Sequence, residues 1–158
     1  MSSKPQLLEV REDTWNRLIA DLRDRGAGHR ESGAFLVGRV GEVRTVIDWL
    51  PYDELDPRSL AFDYIRLDTS AFTRLWSICE QRGLQVVADV HTHPRGAGQS
   101  PSDRANPMVS ISGHLALIVP RFARGTIKPS DISVNVYLGS RQWKSFTGSK
   151  AAQLLRLI

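Results

Sequence analysis

Two stretches of the chain repeat apolar residues at helical spacing, and short glycine-bounded apolar runs lie between and after them. Trp15, Leu18, Ile19 and Leu22 fall at i, i+3, i+4 and i+7, as do Phe72, Leu75, Trp76 and Cys79. Each set puts one apolar stripe on a helix that must bury it. Gly26 and Gly83 are placed to end these helices. Ala34 to Val37, between Gly33 and Gly38, reads as a buried strand. Glu42 to Leu50 reads as its partner across a turn at Gly41, with Pro51 as its end. Gln85 to His93, His114 to Val119 and Ile132 to Leu138 are further strands, and the polar stretch Asp53 to Ser59, with Pro57, is a loop. A short helix starts near Ser100 and is disturbed by Pro107, and the tail Ala151, Leu154, Leu155, Ile158 has helical spacing. Such alternation predicts an α/β (α+β) arrangement, a mixed β-sheet flanked by helices.

A length of 158 residues suits a single domain, 1–158, that buries its own core without staples. One cysteine, Cys79, excludes a disulfide framework and a cysteine-built zinc cluster within one chain. Met1 to Gln6 has no apolar leader stretch, and the longest apolar run, Leu115 to Val119, is far short of the ~20 residues a membrane helix needs. No membrane role and a cytoplasmic location are expected. The net charge of +4 invites a nucleic-acid partner, but the arginines are scattered and alternate with acids, as in Asp21-Leu22-Arg23-Asp24-Arg25. No nucleic acid is therefore expected.

Chemistry concentrates in Asp89-Val90-His91-Thr92-His93-Pro94 and the loop leading to Ser100-Pro101-Ser102-Asp103. Period two puts His91 and His93 on one face of a strand end and Thr92 on the other. Two imidazoles and the carboxylate of Asp103 suit zinc and leave a fourth position for water. Glu31, at the lip of the first strand, is the best upstream acid to handle that water's proton. Each residue also has a plainer reading. Ser100 to Asp103 is a serviceable helix capping box, and Glu31 alone is a surface acid. His29 and His114 read as structural or exposed, while Cys79, Trp15 and Trp76 read as core.

In combination, Glu31 before a glycine-bounded strand, then His91-Thr92-His93-Pro94, a loop, and Ser100-x-x-Asp103, the sequence resembles the JAB/MPN-plus (JAMM) metallo-isopeptidase family. The resemblance implies a single MPN/JAB, cytidine-deaminase-like domain holding one Zn²⁺. It implies that His91, His93 and Asp103 are the zinc ligands, that Glu31 is the general base and that Ser100 stabilises the oxyanion. Two departures stand out. The loop from His93 to Ser100 has six residues where seven is common in eukaryotic deubiquitinases. Asp89 sits where many relatives carry an aromatic, and is either an acceptor for a ligand imidazole or a plain buried acid.

The short loops most resemble bacterial stand-alone JAB proteins of ubiquitin-like conjugation operons, including antiviral ones. The implied task is cleavage after the C-terminus of a ubiquitin-like protein, from a precursor or a conjugate. E1-like and E2-like enzymes are the implied neighbours, and Asp53 to Ser59 is a candidate groove wall. The alternatives are a non-catalytic MPN scaffold, a RadC-like DNA-associated protein, and a hydrolase of a small modified carrier.

Overall fold

The structure, a computed structural model, describes residues 4–61 and 64–158. Met1 to Ser3, half of the segment read as lacking a leader, and residues 62–63 lie outside the described residues.

Helix α1 (Glu12–Gly26) follows strand β1 (Leu8–Val10). Glu12 and Asp13 in its first turn and Arg23 and Arg25 in its last oppose the helix dipole. Trp15, Leu18, Ile19 and Leu22 are buried as their spacing predicts, and the Trp15 indole N–H donates to Ile127 O at 2.9 Å. The left-handed residue that stops the helix is Ala27 (φ 51°), one residue beyond the expected Gly26. Gly26 is the last helical residue and packs towards Ser32.

Strands β2 (Gly33–Val40) and β3 (Arg44–Pro51) form the expected hairpin, and a helical turn α2 (Tyr52–Leu55) follows. The stretch read as a loop from Asp53 therefore begins as helix. Helix α3 (Thr69–Arg82), capped by left-handed Gly83, leads into β4 (Gln85–Thr92), which pairs antiparallel with β2. Helix α4 (Pro101–Ala105) ends before Pro107. Strands β5 (Leu115–Val119), β6 (Ser133–Gly139) and β7 (Gln142–Phe146) come next, then α5 (Ser149–Ala152) and β8 (Leu155–Leu157). All eight strands join one mixed sheet in the order β7-β6-β5-β4-β2-β3-β1-β8.

Both faces of the central strands are buried, so their sequences are apolar without strict alternation. Ala34 and Leu36 meet Trp15, Leu18 and Leu22 on the α1 side. Phe35 and Val37 meet Tyr52, Leu75 and Cys79 on the α3 side. Each of the larger side chains contributes about 1.5–3 kcal/mol when withdrawn from water.

Two further expectations fail. The helical spacing of the tail is realised only over Ala151, because Leu155 and its neighbours pair with β1 instead. Leu8 N–H donates to Leu154 O and Ile158 N–H to Val10 O, so the open edge of β1 outcompetes a four-residue helix. Trp76 is not core, since it is 48% exposed on α3.

Candidate metal centre

Glu31, His91, His93 and Asp103 come from three separate elements, and backbone pairing brings them together. His91 lies within β4, in register with Gly33 on β2 and Ile118 on β5. His93 stands one residue beyond the strand. Thr92 points to the opposite face, as the period of two requires, and there it does structural work that spacing does not reveal. Its Oγ1 accepts the Ser32 N–H at 3.0 Å, and its own N–H donates to Ser32 O at 2.9 Å. The Ser32 hydroxyl in turn donates to Leu22 O at 2.6 Å. Glu31 is thus tied through its neighbour to the residue between the two histidines.

Gly33 has no room for a side chain, because a Cβ there would lie 2.5 Å from the Tyr52 ring and 2.6 Å from Val90 O. Its absence lets Tyr52 pack edge-on against Phe35, with ring centroids 4.9 Å apart, beside the histidine strand.

The imidazole Nε2 atoms of His91 and His93 face each other at 3.0 Å. Asp103 reaches both, with Oδ1 at 3.3 Å from His91 and Oδ2 at 3.0 Å from His93. A ligand atom from each of Glu31, His91 and His93 lies within 4.8 Å of the others. The capping box is also formed: Ser100 N–H donates to Asp103 Oδ2 at 2.8 Å and Asp103 N–H to Ser100 Oγ at 3.1 Å. Capping and approach to the histidines therefore do not compete, since one carboxylate does both.

The electrostatics follow from this crowding. Burial pushes Glu31 above the ordinary carboxylate range, against the pull of both imidazoles. For Asp103 burial acts upward too, but the imidazoles and the Ser100 N–H outweigh it and hold the acid well below its usual range. Burial opposes charge on His91, and the Asp103, Asp89 and Glu31 carboxylates overcome it and raise its pKa. Two ring nitrogens and a carboxylate converge on one point, and each can present a lone pair there. A divalent cation satisfies all of them at once, so the donor set fits a metal.

Of its two expected roles Asp89 takes the second, that of a buried acid. Its Oδ2 lies 2.6 Å from His114 Nε2, both residues being buried, so its partner is His114 rather than a ligand imidazole. The Tyr52 hydroxyl is buried nearby, and burial together with Asp89 and Asp103 pushes this phenol well up.

A cleft of about 450 Å³ opens over His91 and Asp103, walled by Ile65, Leu67, Phe72, Met108 and Trp143. The Trp143 indole N–H donates to Arg104 O at 3.0 Å, next to Asp103. Residues from Tyr64 onward form the wall assigned by sequence to Asp53–Ser59, none of which lines the cleft.

Residues 12–133 match the family described as prokaryotic homologs of the JAB domain. The chain belongs to this JAB family. Over 44 residues it is 43% identical to a probable metalloprotease, y4jG, of Sinorhizobium fredii (strain NBRC 101917 / NGR234). That stretch is 28% of this chain and 27% of the relative, so the likeness spans about a quarter of the relative's length. Among solved structures, the solution structure of DSY2949 from Desulfitobacterium hafniense superposes with a TM-score of 0.60 at 15% identity, covering 89% of this chain and 90% of that one. A protein from Salinibacter ruber (strain DSM 13855) gives 0.59 at 16% identity, covering 87% and 88%. At such identities these two share the JAB-like fold alone. No helix among the described residues is long and apolar enough to cross a membrane.

Proposed function

We propose that this JAB-family chain is a zinc-dependent peptidase or isopeptidase that cuts after the C-terminus of a ubiquitin-like protein. The observation that carries the reading is the meeting of His91, His93 and Asp103 within 3.3 Å contacts, with Glu31 beside them at the mouth of a cleft. Tetrahedral zinc with bonds of about 2.0–2.1 Å separates its ligand atoms by roughly 3.3 Å, close to the spacing of these donors. The metalloprotease-named relative supports the same chemistry.

His91, His93 and Asp103 would hold the ion, which when bound supplies Lewis acidity and a lowered water pKa. Glu31 takes the proton of the attacking water and delivers it to the leaving nitrogen as the C–N bond breaks. Ser100 Oγ accepts the Asp103 N–H, which leaves its own proton free to donate to the oxyanion that develops on the scissile carbonyl. The apolar walls at Ile65, Leu67, Phe72 and Met108 exclude water and suit an extended, small-residue tail entering edge-on. A complete donor set with an adjacent acid disfavours a non-catalytic scaffold.

The test uses zinc-loaded protein and C-terminal fusions of the ubiquitin-like protein encoded beside its gene, with mass spectrometry locating the cut. Cleavage after the ubiquitin-like C-terminus, lost in Glu31→Gln, is expected. Failure of the loaded wild type to cut any such fusion or conjugate overturns the proposal. E1-like and E2-like enzymes encoded nearby would place the reaction in a bacterial conjugation pathway of antiviral defence.

A further inference from the structure

Three consecutive non-glycine residues after β5 adopt left-handed backbone: Arg121 (φ 56°), Phe122 (φ 51°) and Ala123 (φ 62°). L-residues disfavour this region, and a run of three is held only where its surroundings leave no alternative. The surroundings here are the metal-site segment. The β4–β5 ladder stops at Thr92 and Val119, so His91 is gripped by a strand on each side and His93 is not. Beyond the ladder, His93 N–H donates to Val119 O at 2.9 Å. The left-handed turn supplies the rest, with Phe122 N–H donating to His93 O at 2.9 Å and Arg121 N–H to Arg95 O at 3.1 Å. An extended continuation past Pro120 would carry these N–H groups away from the histidine segment.

The turn is locked from the opposite side. Arg23 of α1 donates through Nε to Ala123 O at 2.8 Å and through Nη2 to Gly125 O at 2.9 Å. Ala123 is itself fully buried in the α1-side core.

We infer that the Arg121–Ala123 turn, clamped by Arg23, is the element that positions His93 for metal binding, with Phe122 and Arg23 as positioning residues. The inference rests on the metal-site reading above and adds the cause of His93's placement.

Cobalt(II) titration of the apo-protein tests it, read by the ligand-field absorption band and by competition with a chelator, alongside thermal melting. Phe122→Pro removes the N–H and forbids positive φ. Arg23→Met removes the clamp and keeps the side-chain stem. Both are expected to weaken cobalt binding at least tenfold and to change the band. Phe122→Gly keeps the N–H and favours the left-handed backbone, and it is expected to bind within about twofold of wild type. Wild-type affinity and band in Arg23→Met overturn the inference, whether or not Phe122→Pro folds. So does a lowered melting temperature with an unchanged band, which marks a structural role only. Failure of the wild type to take up cobalt sinks the metal-site reading itself and the inference with it, and is seen in a separate sample.

Discussion

Thr92 carries more of the site than its place between two histidines suggests. Its hydroxyl is the acceptor for the buried Ser32 N–H, and that pairing sets Glu31 against the histidine strand. Thr92→Val is nearly isosteric but orphans the N–H, so a stability loss of about 1–3 kcal/mol is expected in chemical denaturation. Turnover should fall further than metal affinity does, because the histidines keep their strand while Glu31 is loosened. Glu31→Gln should carry the same split further, abolishing turnover with metal content unchanged by elemental analysis. The residues that converge on the metal point were legible because each has a chemical signature at short spacing: His91-x-His93 on one strand face, and Ser100-x-x-Asp103 as a cap. Thr92 and the Asp89–His114 pair were not, since their partners lie 60 and 25 residues away and nothing local marks them.

Between strands and helices, the same contrast holds. Helices α1 and α3 could be read from apolar spacing, because each lays one stripe on the sheet. Strands β1 and β8 are three residues each, too short for any period to register, and β7 exposes much of its polar sequence. The β6–β7 turn also hides itself, using left-handed Ser140 and Arg141 in place of the Asn-Gly pair that announces a hairpin. Gly33 on β2 is a sharper case of backbone dictating sequence. Gly33→Ala drives a methyl into the Tyr52 ring and Val90 O, and a destabilisation of about 1–3 kcal/mol or more is expected in denaturant titration.

The loop from α2 towards the cleft wall hangs on Asp56, which accepts N–H bonds from Arg58 and Asp68 at 3.0 Å each. Those bonds hold its carboxyl below the usual range. The stability it contributes is therefore whole above the unfolded value of about 3.9 and is lost as pH falls through the folded one. Melting curves of wild type should drop more steeply below pH 4 than those of Asp56→Asn.

For the molecule as a whole, crowded donors at one point link metal binding to folding. Free metal at 1,000 times its dissociation constant stabilises the folded state by about 4 kcal/mol. For a chain of this size that amounts to roughly 10 °C in melting temperature, reversed by chelator. No shift on adding zinc would count against the site. The sheet also has a consequence for how the protein can be watched. Trp143 on the outermost strand leans over the cleft and is hydrogen-bonded to Arg104, while Trp15 is sealed in the core. The indole above the metal point is thus a resident fluorophore, and its emission should change colour when a peptide displaces water from beside it, with no dye attached.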